Sequence, residues 1–460
     1  MTLRRREMLQ ALGLSTGSLA WALGCGAARP DTRRVAGDNR GEIRAWLRDG
    51  VERLAAVFSS VQAHATMHHR TTAAIDVLGT GVARARRDAV VFTVRDAAGA
   101  QREHVTNDLS RTGIRAAVTV LAGSREQRAR LTFPPPSTAL GLVRIDDAAL
   151  VDRVAMIVRA DKVSSSRIVY AAASIDIDDV TTWSIAPDHD REQRVRRIRT
   201  QVTRAAWNGT RPAISQLERG WMGELGDQTL SDDEVSAVSA KALLQMTPGT
   251  FDDGERTLVL DPHVAATLLD IAVRGLLTSL AARRPEVARR IVVGEGIASP
   301  LLSLADDPTV RGAYGGFAFD DAGRPAGPVM LLEGGRVAGR LARRPSHLVM
   351  VPGTSSIPQL QGEGWLLEGR VTAAYDPSSD RLVLTVARAR ELRNGSDTGR
   401  VFPNVELSGE LASLLGRIDG VGAQNQTMVV RDERDTTTLW RSIAAPHVRT
   451  RGLVRGRRLA

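Results

Sequence analysis

Apolar positions along this chain switch between helical and alternating spacing, and each switch predicts an element. In 43–61, Ile43, Trp46, Leu47, Val51, Leu54, Phe58 and Val61 recur on one helical face, which predicts an amphipathic helix despite Gly50. Residues 89–94 read as a strand, with 97–100 (Ala-Ala-Gly-Ala) as a turn. A second helix is expected over 108–121, a rigid loop at Pro134-Pro135-Pro136, and a third helix over 151–160. Alternation then predicts strands at 167–173, 179–185 and 197–206. Asn208-Gly209 signals a hairpin turn, because both central positions of that turn need positive φ. Residues 231–244 read as a helix, with Ser231 and Glu234 at capping-box spacing.

The second half opens on "LVLDPHVAATLLDIAVRGLLTSL". Residues 258–260 read as a strand, Asp261 as an N-cap, and Pro262 as the first helical residue, where its missing N–H costs nothing. Ala265, Leu268, Leu269, Ala272, Leu276 and Leu280 then form one apolar face, yet the helix carries nothing suited to chemistry. Further on, 329–332 and 336–341 form a hairpin through Gly334-Gly335. Strands at 369–375 and 381–389 flank the turn 376–380, and 405–409 leads into a helix at 410–418. These patterns predict an α+β fold: a mixed α/β N-terminal domain at 40–250, then a strand-rich C-terminal domain at 251–460. The loop 247–254 is the expected boundary.

Composition narrows the class. Of 460 residues 43% are hydrophobic and 25% charged, the balance of a soluble globular protein. The net charge of +10 is spread as arginine (only Lys162 and Lys241 are lysine) among 52 acidic residues, without an aromatic-rich basic module, so no nucleic-acid partner is expected. Residues 1–39 read as an export signal and linker rather than fold. Arg5-Arg6 resembles a twin-arginine motif, and Ala22-Leu23-Gly24-Cys25 a lipobox that would make Cys25 the lipidated N-terminus. Cys25 is the single cysteine, which excludes an internal disulfide. The expectation is a protein exported and anchored by its N-terminal lipid at the periplasmic or extracellular face of the cell envelope; a plain cleaved signal or an uncleaved anchor are the alternatives.

Other candidates are weaker. His64, His68 and His69 would hold a metal only if helical, and no acidic or cysteine neighbour in sequence completes them, so a polar helix end is the plainer reading. Asp176, Asp178, Asp179, Asp188 and Asp190 could form a cation site but read better as a solvated strand edge and turn. "GAYGGF" and "EGGRVAG" lack the strand–glycine loop–helix context of a nucleotide site. Asn208-Gly209-Thr210 fits a glycosylation sequon but is already explained by its turn. Ser408 lacks the nucleophile-elbow pattern, and no Ser/His/Asp set is visible.

"DPHVAATLLD", "DDPTVRGAYGGFAFDDAGRPAGPVMLLEGGRVAGRL", "PGTSSIPQLQGEGWLLEGRV" and "VFPNVELSGELASLLGRIDGVG" follow in order the C-terminal half of TldD/PmbA proteins, once called modulators of DNA gyrase. The run from Asp306 to Leu341 carries the most specific resemblance; in the N-terminal half only the order of elements agrees. In catalytic members of that family the same strand–Asp-Pro–helix carries His-Glu-x-x-x-His, and a distant cysteine completes a zinc site. Here the three motif positions are Asp270, Ile271 and Gly275. The resemblance therefore implies no zinc cofactor and no catalytic residue, as in the noncatalytic TldE/PmbA-type branch. It implies a catalytic TldD-type partner, or a homodimer, acting on unfolded or flexible peptide. A metallopeptidase with a site rebuilt around His64–His69 and a stand-alone peptide-binding or structural lipoprotein are the other readings. Asp270 is expected to be a solvated or capping carboxylate whose replacement by alanine changes little.

The export reading predicts that Arg5→Lys with Arg6→Lys retains precursor in the cytoplasm, and that Cys25→Ser yields soluble protein without lipid. Cell fractionation checks both; membrane association unchanged in Cys25→Ser would sink the lipoprotein expectation.

Overall fold

Alternation of side chains across a strand dictates the N-terminal half. The computed structural model describes residues 39–77, 79–123, 128–135, 145–207, 209, 212–246, 251–434 and 437–456. Arg5, Arg6, Cys25, Asn208 and Thr210 lie outside them. β1 (Ser60–Asp76), β2 (Gly79–Arg95), β3 (Gln101–Thr106), β4 (Ile168–Ala186), β5 (His189–Trp207) and β6 (Pro212–Met222) form one antiparallel sheet, ordered β3-β2-β1-β4-β5-β6. On β4, Ala173, Ile175, Ile177, Trp183 and Ile185 are buried beneath helices, while Asp176, Asp178, Thr182 and Ser184 take the opposite face. The helices Arg40–Ala55 and Arg111–Ala122 cover one end of the apolar face, and Asp147–Arg159 and Asp232–Leu244 the other. Ser231 and Glu234 form the expected capping box.

Several boundaries move. The first helix ends at Ala55, and Val61, only 3% exposed, belongs to β1, where alternation with Ala63 and Ala65 replaces helical spacing. The two strands expected at 167–173 and 179–185 are one 19-residue strand, and β5 begins eight residues earlier than position 197. Their joining stretches read as loop because they carry aspartate and arginine, which the fold uses as buried pairs.

In the C-terminal half, β7 (Gly254–Leu260) precedes the helix Pro262–Leu276. Next come β8 (Leu304–Asp306), β9 (Val329–Glu333), β10 (Arg336–Val337) and β11 (His347–Met350). β12 (Gly364–Asp376), β13 (Arg381–Arg393) and β14 (Ser396–Glu410) form a meander, followed by the short β15 (Gly420–Val421). β16 (Gln426–Arg434), β17 (Thr437–Ala445) and β18 (Val448–Gly456) end the described fold. The order β14-β13-β12-β7-β18 is closed by pairing of β18 with β14, from Val405↔Gly456 to Ser408↔Leu453, so these strands make a barrel without free edges. A second sheet runs β10-β9-β8-β11-β17-β16.

The helix Pro262–Leu276 lies between barrel and second sheet, against β12 on one side and β16–β17 on the other. That position demands an apolar surface all round, and 12 of its 15 residues are buried. Asp261 fixes its start: one carboxylate oxygen accepts from Val264 N at 2.8 Å, and the other from Gly369 N on β12 at 2.9 Å. Leu280 is not on its buried face, as the spacing suggested, but 71% exposed, because the chain turns after Leu276 to bridge Thr278 to Leu341. Gly335, at φ 75°, closes the β9–β10 hairpin; a Cβ there would lie 2.3 Å from the Ala298 carbonyl oxygen. Residues 338–341 leave that hairpin so that Leu341 can make the bridge.

Leu269 is 2% exposed within this enclosed helix. Leu269→Asp would bury a carboxylate without a partner at a cost of several kcal/mol, a large share of the ~5–15 kcal/mol of a typical domain. Urea denaturation should show a large fall in midpoint; an unchanged midpoint would refute the enclosure of this helix.

Candidate functional site

Helical spacing places Arg274 one turn after Asp270, and the neighbouring β17 brings Arg441 to the same carboxylate. Asp270 accepts from Arg274 Nε at 2.9 Å and from Arg441 Nη2 at 3.3 Å. It is 4% exposed and Arg441 6%, with Arg441 also paired to Asp432 at 3.1 Å. Asp270 is therefore a buried ion-pair partner, not the solvated or capping carboxylate expected from sequence; the missing knowledge was Arg441, 171 residues away. Ile271 is buried in the hydrophobic core. At Gly275 an added Cβ would meet Tyr375 Cε1 at 2.5 Å, and that ring is tethered by its hydroxyl, which donates to Asp380 at 2.9 Å.

These residues do not fit zinc. The Asp270 carboxylate is occupied by two guanidinium groups, Ile271 has no donor atom, and Tyr375 fills the space a ligand at 275 would need. Among the described residues, no three of His, Cys, Asp and Glu come together in a way that could hold a metal.

Beside Arg274 and Arg441 opens a cleft of about 1220 Å³. One wall is the polar face of the N-terminal sheet, with His64, Thr66 and His68 of β1 and Gln193 and Arg197 of β5. The other comes from the C-terminal half, including Phe317, Arg343, Arg344 and Trp440. Behind the lining residues His68 and Trp440 lies a charged network. Asp178 receives His68 Nε2 at 2.7 Å, Arg70 Nε at 2.8 Å and the Trp440 indole N–H at 3.1 Å. Burial alone would raise its pKa, but His68 and Arg70 hold the carboxyl well below the usual carboxylate range. Asp176 accepts from Thr72 Oγ1 at 2.6 Å and pairs with Arg199 at 2.7 Å and Arg431 at 2.9 Å. Against burial, Arg431 and Arg199 lower its pKa as well.

The aspartates thus correct the expected solvated edge. β4 is an inner strand, flanked by β1 and β5. Asp176, Asp178 and Asp190 are buried, Asp190 against Arg44 and Arg48. Asp179 pairs with Arg196 at 2.7 Å, and only Asp188 among the five is left largely in solvent.

The histidines are corrected too. They lie on a strand rather than a helix end, with His64 and His68 on the cleft side and His69 on the other face. The acidic neighbour missing in sequence is Asp178, brought 110 positions to His68 by β1–β4 pairing. His68 also meets Trp440 edge-on at 5.2 Å. His64 is separate: its Nε2 is 3.8 Å from Asp321, and burial depresses its pKa despite Asp321 and Asp320. The structure also shows a serine–histidine–aspartate chain that spacing did not reveal. Ser184 Oγ lies 2.9 Å from His189 Nε2, whose Nδ1 lies 3.0 Å from Asp188. Ser184 is fully buried, and Gly323 approaches so closely that a Cβ there would be 2.6 Å from Oγ, so no substrate reaches the hydroxyl in this arrangement. Sequence reasoning missed Arg197, Trp440 and Arg441; their strand positions gave no signal beyond alternation.

Residues 253–346 match the model of the PmbA/TldA metallopeptidase C-terminal domain. A metalloprotease of Methanocaldococcus jannaschii is 24% identical over 230 residues, 43% of this chain and 51% of that protein. One from Methanothermobacter thermautotrophicus is 24% identical over 271 residues, 52% of this chain and 57% of that protein. The matches span about half the length of these relatives. Among solved structures, a Thermotoga maritima protein described as a candidate modulator of DNA gyrase superposes with a TM-score of 0.72 at 15% identity, covering 90% of this chain and 100% of that one. TldE from Thermococcus kodakarensis gives 0.63 at 14% identity, covering 91% and 100%. At these identities the structural likeness concerns the fold alone, an α+β architecture with a strand-rich C-terminal half. The chain thus carries a PmbA/TldA-type C-terminal domain over residues 253–346 and shares its fold with TldE and a gyrase-modulator-type protein.

Because Asp270 neutralises a buried guanidinium, Asp270→Ala should destabilise the protein by about 3–5 kcal/mol, the range for breaking a buried pair from one side. Asp270→Ala combined with Arg441→Met should recover part of that loss. Denaturation midpoints for both variants check this; wild-type stability in Asp270→Ala would refute the buried-pair account.

Proposed function

We propose that this chain is a noncatalytic subunit of a TldD/PmbA-type peptidase complex in the cell envelope. The observation that carries the reading is the closure of the family's motif helix: Asp270 bound by Arg274 and Arg441, Ile271 in the core, and Tyr375 against Gly275. Each motif position has a packing or ion-pair role, which supports the reading that this subunit holds no zinc. A catalytic TldD-type subunit would supply zinc and cleavage. This chain would supply its cleft as one wall of the chamber that receives unfolded or flexible peptide. On this reading residues 40–250 and 251–460 are the two domains whose facing surfaces make the cleft, and residues 1–39 provide export and the lipid anchor at Cys25.

A stand-alone peptide-binding lipoprotein is favoured by one feature, since a single chain already provides both walls of the cleft. Against a site rebuilt on the histidines stands the commitment of His68 to Asp178.

Affinity purification of the tagged protein from its own membranes decides between these readings. A co-purifying protein with His-Glu-x-x-x-His, and chelator-sensitive peptide cleavage by the pair but not by this chain alone, is the expected result. The isolated chain should hold far less than one equivalent of zinc. Purification without such a protein favours the stand-alone reading. Stoichiometric zinc with cleavage abolished by His64→Ala or His68→Ala would overturn both in favour of the rebuilt site.

A further inference from the structure

The cleft has a charge bias. Its lining carries eight arginines against five carboxylates. Five of these arginines are already paired: Arg87 with Glu433, Arg324 with Asp320, Arg343 with Asp306, and Arg274 and Arg441 with Asp270. Arg197 differs. It is 6% exposed, and among the described residues no carboxylate lies within ion-pair distance of it. Its Nε donates to the Tyr314 carbonyl at 2.9 Å and its Nη2 to the Gly316 carbonyl at 2.7 Å, while the guanidinium lies over the Trp440 ring at 4.6 Å. Nη1 has no protein acceptor among the described residues, and it is not among the sealed, unpartnered atoms; the cleft is the space left to it.

A neutral donor could hold two carbonyls. A guanidinium there carries a full charge into a poorly solvated place. Burial lowers its pKa to about 10, opposed by Tyr314 and Asp178, so it remains a cation at neutral pH. Asp178 cannot answer that charge alone, because it already serves His68, Arg70 and Trp440. Arg344, exposed at the cleft and likewise without an ion pair among the described residues, adds a second free cation. Guanidinium groups favour carboxylates, whose two oxygens match their paired N–H donors.

We propose that the cleft selects peptides by a carboxylate, seated on Arg197 and drawn in by Arg344. This deepens the peptide-binding role and rests on it: the substrate class is acidic peptide, engaged through a glutamate or aspartate side chain or through the C-terminal carboxylate.

The test is fluorescence anisotropy with the full chain and a labelled ten-residue flexible peptide bearing glutamates near its C-terminus, in free-acid and amidated forms, beside its glutamine counterpart. The glutamate peptide should bind about tenfold tighter than the glutamine one, the size of one charge-assisted contact. The preference should shrink as salt rises, since the rim cation is screened. Its loss on amidation assigns the terminal carboxylate; its retention assigns the side chains. Arg344→Gln, at an exposed site, should reduce the preference about threefold, and Arg197→Gln should remove most of it. A purely structural Arg197 would change stability but not the glutamate-to-glutamine ratio. A wild-type ratio near one overturns the proposal, as does a ratio that both variants leave unchanged. If Arg197→Gln does not fold, Arg344→Gln alone decides. Equal binding of both peptides leaves the subunit role standing, and failure of both to bind overturns the selection; in either case the partner purification judges the subunit role separately.

Discussion

Two carboxylates on one inner strand hold the halves of this molecule against each other. Asp176 and Asp178 take partners from the N-terminal sheet, Thr72, Arg199, His68 and Arg70, and from the C-terminal half, Arg431 and Trp440. A face built of aspartate and arginine cannot close like an oily interface, because each charge must keep a specific partner or stay wet. The faces join where polar groups find partners across them, as Asp176 does in Arg431, Asp178 in Trp440 and Arg197 in the Tyr314 and Gly316 carbonyls. The cleft lies beside these contacts. Its position follows from the polarity of the face that β4 turns away from the helices.

The second constraint is the enclosed helix Pro262–Leu276. Buried between barrel and sheet, it tolerates a polar group only if that group is paired, and Asp270 has two arginines. The same enclosure explains Gly275, where Tyr375 leaves no room for a side chain. The helix is integrated into the core, with Asp261 fastening its first turn to β12. Arg441 links the two constraints, since its strand, β17, also carries Trp440 to Asp178 and Arg197.

Local chemistry alone determined much of this chain. The Asp261-Pro262 start, the Ser231–Glu234 capping box, the β9–β10 hairpin at Gly334-Gly335 and the α+β class depend on neighbours in sequence, so periodicity and turn chemistry reveal them. The motif positions Asp270, Ile271 and Gly275 were legible as residues. Their roles were not: Asp270 meets Arg441 across 171 positions, and His68 meets Asp178 across 110. Asp176 and Asp178, read as a solvated edge, became the interior because β1 and β5 flank their strand, and of three histidines read as a helix end His64 and His68 joined a cleft wall because alternation continued through them. Only the tertiary structure could decide these outcomes. A charged side chain looks the same in sequence whether it meets water or a buried counter-charge, and which it meets is fixed by strand pairing between residues far apart along the chain.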